Sequence, residues 1–562
     1  MSRGARISWG IIIGLFVLTF VVSGLRGGIR SDSVLVIELS GPIEEQKAQG
    51  AFAQLFGPKV TLLHNVLDAI DHARDDERIT GLVVKISSPS LGWAKAQEIR
   101  SRLLEFRKSA KPSVCYLHGD LLGNRDYYLA SACEFVWSVP TAPLGLSGLM
   151  TQSLFIRGTL DKLGVYPDFY GIEDYKTARN FYTEKKYTPA HREMADSLMR
   201  NIYASYVADT AAARKIDRPW FEKVLADGPY TPPDALERKL IDKSAYWDEV
   251  QEFFRGKSED KEWRPVQLSQ YVKETKIVGM KKIAVVHATG TIVVGESDAD
   301  PSGDFLMGSE SVSADLRRAR TDNSVAAIIL RVDSPGGSAV ASEIIRREVQ
   351  LAAKAKPVVV SMSDVAGSGG YWISMSANKI VADGSTITGS IGVVFGKMNI
   401  SGLYALLGLS TDSLYTSENA TFLDFQRNFT PAQRETVRRF MQDIYVNFKR
   451  GVAEGRGMKP EEVEKVARGR VWTGAQGKEI GLVDEIGGFD RALALAKDLA
   501  KIDAKERVTI VRFPEEKTFW QSLLELGGSS SVHSAAITAR IKQWASQPPS
   551  VQARMPFEIS IR

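Results

Sequence analysis

Residues 371–381, YWISMSANKIV, recur in weaker form 244 positions upstream as residues 127–137, YYLASACEFVW. Gly389-x-x-Gly392 has its counterpart, Gly145-x-x-Gly148, at the same distance. Further out, Arg320-x6-Ala327 answers Arg74-x6-Gly81 at 246, Lys356-Pro357 answers Lys111-Pro112 at 245, and Leu482-x-Asp484 answers Leu240-x-Asp242 at 242. A slow drift of this kind is what small insertions and deletions leave in a duplicated domain. The period is far too long for a solenoid, and 562 residues exceed what one core holds. Each copy opens with a β-rich run, residues 34–39 and 283–288. A helical stretch follows, then an apolar strand at 82–86 and 328–332. In the second copy Ile344, Ile345, Val349 and Ala352 share one helical face, and residues 357–362 form the next β-branched run. Strands separated by helices predict an α/β fold with largely parallel sheets and right-handed crossovers. The expected organisation is one domain over 32–255, a linker over 256–280 opening with the polar GKSEDKEWR of 256–264, and a second domain over 281–514. Thr430-Pro431 starts a long amphipathic helix within 428–450, and residues 515–562, with Gly527-Gly-Ser-Ser-Ser531 and Gln547-Pro-Pro549, read as a loosely held tail.

Before the first copy, residues 7–25 run without a charge behind Arg3 and Arg6, longer than the apolar region of a typical secretory signal. Residues 1–31 are therefore expected to be a short cytoplasmic stub and a transmembrane anchor, although Val22-Ser-Gly24 could be cut by a signal peptidase. A long polar body behind one span is usually translocated, which puts the rest outside the cytoplasm. Gly10 and Gly14 would let two anchors pack closely. With 72 basic against 67 acidic residues and no arginine stripe, nucleic acid is not an expected partner. Cys115 and Cys133 both lie in apolar segments and read as small core residues rather than a disulfide. The six histidines show no ligand spacing, so neither a metal nor a cofactor is expected.

Chemistry concentrates in the second copy. Ser368, within Gly367-Ser-Gly-Gly370, sits between a predicted strand and a predicted helix, where a tight turn would present the hydroxyl at a helix N-terminus. Upstream, Asp333-Ser-Pro-Gly-Gly-Ser338 follows another strand, and its glycines let backbone N–H groups approach a ligand oxygen. With the N–H of Gly369 they could form an oxyanion hole. Two ordinary glycine-rich turns would look the same by spacing. The first copy argues against that reading: its counterparts are Ser87-Ser-Pro-Ser-Leu-Gly92 and Gly123-Asn-Arg-Asp126, without the paired glycines. Turns needed only for folding should have survived in both. A serine nucleophile needs a base, and a lysine serves once burial has lowered its pKa from about 10.4. Lys176 lies between Tyr175 and Phe181, which would supply apolar surroundings, and Lys185 and Lys186 are rival candidates.

The motifs Asp333-Ser-Pro-Gly-Gly-Ser338, Gly367-Ser-Gly-Gly-Tyr-Trp372, Gly389-Ser-Ile-Gly392, Gly469-Arg-Val-Trp-Thr473 and Gly481-Leu-Val-Asp-Glu-Ile-Gly-Gly488 together resemble the bacterial signal peptide peptidase A family, also called protease IV. The match is best to its long, duplicated form and covers about residues 32–510 plus the anchor. The resemblance implies two tandem Clp protease/crotonase-like domains of repeated ββα units. It implies Ser368 as nucleophile, Lys176 as general base, and Gly369 with Gly336 or Gly337 as oxyanion donors. It further implies a membrane-anchored serine endopeptidase that degrades cleaved signal peptides and other hydrophobic peptides. Its body would lie on the outer side of a bacterial inner membrane, in a homo-oligomer, a tetramer for the duplicated form. Asp333 and Gly367 depart from the residues many members carry at those places. Asn124, opposite Ser368, leaves the first copy without a serine site. Two other readings stand beside this one: a non-catalytic membrane scaffold, and a crotonase-like acyl-CoA enzyme. An acylating probe that labels Ser368 separates both from a peptidase.

Overall fold

In the computed structural model, the described residues are 28–47, 60–275, 278–300, 304–515 and 552–554. The anchor predicted within 1–31, its Gly10 and Gly14, and most of the 515–562 tail lie outside them. Among the described residues no helix is long and apolar enough to cross a membrane.

The predicted pair of α/β units is the observed architecture. The first sheet runs in the order Thr61–Leu62, Ser33–Glu44, Ile79–Ser90, Ser113–Leu117, Phe135–Ser138, Lys243–Ser244, all parallel, and Pro265–Gln267 also pairs with Ser33–Glu44. The second sheet is built around Lys281–Thr289, Val325–Ser334 and Val358–Gly367, again parallel. The central strands are continuous β-branched and leucine runs because helices cover both faces. Val83, Ile328, Val359 and Val360 are fully buried. Each such side chain contributes roughly 1.5–3 kcal/mol by leaving water. Of the helical face predicted in Ala339–Ala355, Ile345, Val349 and Ala352 are buried, but Ile344 is 42% exposed. The buried stripe passes instead through Ala341 and Ser342, one helical turn before Ile345.

The duplication is preserved in hydrogen bonds as well as in letters. Tyr127 Oη donates to the Leu240 carbonyl at 2.8 Å, and Tyr371 Oη donates to that of Leu482 at 2.9 Å. Asp242 accepts the Val136 N–H at 2.7 Å, as Asp484 accepts that of Ile380 at 2.8 Å. Lys111 ties down the carbonyls of Ala73 and Asp76, as Lys356 ties down those of Ala319 and Asp322. Two long helices, Pro189–Arg214 and Pro431–Arg456, match in the same way. Each has proline at its start and a threonine N-cap, Thr188 or Thr430, whose side chain accepts a backbone N–H.

The segment read as a linker is tied to the first unit. Residues 265–267 add a strand beside Ser33–Glu44, and the helix Leu268–Glu274 buries Tyr271 in the first core. The expectation of two unpaired core cysteines is corrected: Cys115 and Cys133 are buried, and they form a disulfide. The helix Asn124–Ala130 folds back over the strand Ser113–Leu117, which returns Cys133 to within 5.6 Å of Cys115, Cα to Cα.

A third sheet belongs to neither unit alone. Its order is Asp298–Ala299, Phe305–Gly308, Thr291–Val293, Gly336–Ser338, Gln552–Arg554, Val394–Asn399, Tyr166–Gly171. Tyr166–Gly171 of the first half pairs antiparallel with Val394–Asn399 of the second, from Tyr166 opposite Asn399 to Gly171 opposite Val394. This pairing carries the chain that follows Gly171 into the second unit.

Candidate active site

Ser368 occupies the one-residue turn between the strand Val358–Gly367 and the helix Gly369–Ser374. Its backbone is at φ 55°, ψ −112°, a conformation that costs a non-glycine residue energy and is retained at sites where it is used. The surrounding structure holds it there: the Ser368 N–H donates to the Gly389 carbonyl at 2.8 Å. The paired glycines after it are required by close approach. A Cβ on Gly369 would lie 3.0 Å from Gly336 Cα, and one on Gly370 would lie 2.6 Å from the Ser334 carbonyl oxygen. The glycine-rich turn after Val325–Ser334 and the turn at Ser368 are therefore packed backbone to backbone.

Lys176 arrives from the first half, just beyond the strand Tyr166–Gly171 and at the start of the turn Thr177–Arg179. Its Nζ lies 2.8 Å from Ser368 Oγ and 3.0 Å from both the carbonyl oxygen and Oγ of Ser390. The residue has no exposed surface. Burial alone pushes the amine well below the ordinary lysine range, with no neighbouring carboxylate offsetting it. The rivals lie elsewhere: Lys185 pairs with Asp161 and its side chain is 67% exposed, and Lys186 is exposed. Tyr175, expected to shield the lysine, instead turns outward to Glu193 at 2.8 Å.

The shielding comes from residues the sequence reading gave no role. Lys176 passes between Gly392 and Gly469: a Cβ on Gly392 would lie 3.2 Å from Lys176 Cδ, and one on Gly469 would lie 2.5 Å from its backbone nitrogen. Ser390 completes the amine's surroundings, fully buried and itself at φ 53°. The signal was present in Gly389-Ser-Ile-Gly392, because the first copy keeps both glycines but has Leu146 at the place matching Ser390.

Of the expected oxyanion glycines, Gly336 packs against Gly369, the residue after Ser368. The Gly336 N–H already donates to Ser334 Oγ at 3.1 Å, and that hydroxyl donates to the Gly290 carbonyl at 2.6 Å. Gly337 lies against Ile292, whose carbonyl oxygen would be 2.1 Å from any Cβ there. Gly369 opens its helix, so its N–H has no acceptor in the preceding turn. In the first half the corresponding helix begins with Asn124, whose Nδ2 donates to the Gly148 carbonyl at 2.8 Å. Among the described residues no His, Cys, Asp and Glu side chains cluster as a metal site would require.

The profile of peptidase family S49 matches residues 105–259 and 350–503, one segment in each half. The chloroplastic serine protease SPPA of Arabidopsis thaliana is 33% identical over 99% of this chain and 82% of its own length. Protease 4 of Salmonella typhi is 33% identical over 88% of this chain and 82% of its own. A putative signal peptide peptidase SppA of Enterococcus faecium is 32% identical over 43% of this chain and 70% of its own. Matched in both halves, and over nearly its whole length by proteases, the chain is a serine peptidase and belongs to peptidase family S49.

Proposed function

We propose that the protein is a membrane-anchored endopeptidase with a Ser368–Lys176 dyad that degrades cleaved signal peptides and other hydrophobic peptides. The observation that carries this reading is the 2.8 Å contact between a fully buried Lys176 amine and the Ser368 hydroxyl. A neutral amine can accept the serine proton as Oγ attacks the peptide carbonyl. The negative charge that forms on the carbonyl oxygen is met by the N–H of Gly369 and by one from the Gly336–Gly337 turn. The protonated Lys176 then returns its proton to the leaving amine as the C–N bond breaks. Water, deprotonated by the same lysine, hydrolyses the acyl-enzyme and regenerates both groups. The two hydrogen bonds from Lys176 to Ser390 orient its lone pair toward Ser368. A scaffold with no chemistry would have no use for an amine buried at this cost.

The substrate would lie extended. The strand Gln552–Arg554 pairs antiparallel with Gly336–Ser338 and contacts Val394 on its other side, which marks a slot wide enough for one strand. Main-chain pairing of this kind accepts many sequences, as a peptidase of remnant peptides must. The Cys115–Cys133 disulfide supports a body outside the reducing cytoplasm. The anchor at residues 7–25 would hold that body at the bilayer, where such peptides are released. Assembly into a homotetramer belongs to the same proposal, and sedimentation of the detergent-solubilised protein tests it.

The deciding experiment is reaction with a serine-directed acylating probe, followed by peptide mapping. A single adduct on Ser368, absent from Lys176→Met at neutral pH, is the expected result. An adduct on another serine, or none, overturns the assignment.

A further inference from the structure

The helix Trp93–Arg107 belongs to the first half, yet one of its faces is charged and buried. Lys95, Glu98 and Arg102 are 5%, 3% and 7% exposed. These side chains reach the second half. Glu98, together with Glu45, holds Arg331 on the central strand Val325–Ser334, and Arg102 pairs with Asp71 and Asp490. Lys95 reaches closest to the site. Its Nζ lies 2.8 Å from Asp333 and 3.6 Å from Asp364.

These two acids stand on the two strands that end at the reacting groups. Asp333 directly precedes Ser334-Pro-Gly-Gly337, and Asp364 is four residues before Ser368. The strands lose register here: Val332 is opposite Met362, but Ser334 is opposite Ala366, so the serine-bearing strand carries extra residues, Asp364 among them. A bulge of this kind re-aims the chain beyond it. Asp333 bridges the bulge by accepting the Val365 N–H at 3.1 Å. Asp364 turns the other way and accepts the N–H groups of Gly92 and Lys95 at 2.9 and 3.0 Å, capping the first-half helix at its N-terminus. A Cβ on Gly92 would lie 2.2 Å from Asp364 Cγ, so only glycine admits the carboxylate. Two acids this close, their side chains only 15% and 16% exposed, repel each other unless a cation stands between them. Burial pushes Asp333 up to about 6, only partly offset by Lys95. Burial works against the Lys95 charge too, but Asp333, Asp364 and Glu45 outweigh it and keep the amine protonated.

We propose that Lys95 is a positioning residue: it draws Asp333 and Asp364 together across the bulge and so sets the gap between the Gly336–Gly337 turn and Ser368. This rests on the dyad reading above. The first half then contributes to the site twice, once with the base and once with the group that fixes the spacing of the oxyanion donors. Lys95 touches no reacting atom, so its effect is on the geometry of the transition state and not on binding of the peptide.

The test compares Lys95→Met, Asp333→Asn and the double variant with the unaltered protein, using kcat and KM on a hydrophobic peptide and the melting temperature. Lys95→Met is expected to lower kcat about tenfold or more, since small misplacements of reacting groups cost that much, with KM within about twofold. The double variant is expected to lose little more kcat than Lys95→Met alone, because the two side chains act as one pair. A lower melting temperature with unchanged kcat, or losses of kcat from Lys95→Met and Asp333→Asn that simply add in the double variant, overturns the proposal. Should Lys95→Met fail to fold, Asp333→Asn alone carries the test: kcat reduced several-fold supports the clamp, and unchanged kcat refutes it. Ser368→Ala distinguishes the two levels, because activity retained there removes the dyad itself, whereas its loss beside a fully active Lys95→Met removes only the clamp.

Discussion

Lys176 and Ser368 are 192 positions apart in the chain and 2.8 Å apart in the fold, Nζ to Oγ. Neither half of the duplication contains both groups, so the site exists only where the halves meet.

Replacing either group should abolish turnover with different effects on stability. Ser368→Ala and Lys176→Met should each lower kcat by at least about 10³-fold, as removal of members of such units does. Lys176→Met should also melt higher than Ser368→Ala at neutral pH, because it removes an amine held neutral at the expense of folding. A Lys176→Met protein with substantial activity would refute the assignment of the base.

The pH dependence follows from the direction of the Lys176 shift. Its amine is lowered by burial in the fold, whereas the unfolded chain has the ordinary value of about 10.4. Between the two values the unfolded state binds a proton that the folded state does not, so stability rises with pH across that window. Activity from the proposed dyad needs the neutral amine and should rise to a plateau as pH passes upward through the lowered value. The melting-temperature gap between Ser368→Ala and Ser368→Ala/Lys176→Met should narrow as pH approaches 10. A gap that does not change with pH would show that Lys176 stays protonated.

Gly469→Ala should impair catalysis through the position of the base. The added Cβ would meet Lys176 backbone atoms at 2.5–2.6 Å, and Gly469 sits at φ +80°, so neither side can yield cheaply. A loss of about 10²-fold in kcat is expected, the scale of a misplacement of about an ångström. Circular dichroism should show the fold retained. Full activity would mean that the Lys176 path is less confined than its packing indicates.

The strand Gln552–Arg554 holds the edge of Gly336–Ser338 that the proposed substrate slot would use. A chain ending at Glu515 should therefore show a KM several-fold lower with kcat unchanged, because a competing occupant reduces the competent fraction. A synthetic peptide spanning 546–560 should then inhibit the shortened protein competitively. Unchanged KM would place substrate somewhere other than this slot.

Ser368 was legible because the two copies could be compared within one chain: Gly367-Ser-Gly-Gly370 survives in one and becomes Gly123-Asn-Arg-Asp126 in the other. The alternating strands and helices and the Thr430-Pro431 helix start were legible for a similar reason, since periodicity and capping are local. Lys176 was one basic residue among 72 by spacing alone, and only the family resemblance singled it out. The Cys115–Cys133 bond was misread because two buried cysteines in apolar segments look the same whether bonded or free.

That this chain is a diverged α/β duplication with one surviving serine turn is written in short-range patterns of residues. Tertiary structure decided the rest: that Tyr166–Gly171 crosses to pair with Val394–Asn399, that Gly392 and Gly469 leave a path for one lysine, and that Lys95 meets Asp333. These contacts join residues hundreds of positions apart, and a side chain's burial, and with it the basicity of Lys176, is a property of what packs around it and not of its neighbours in the chain.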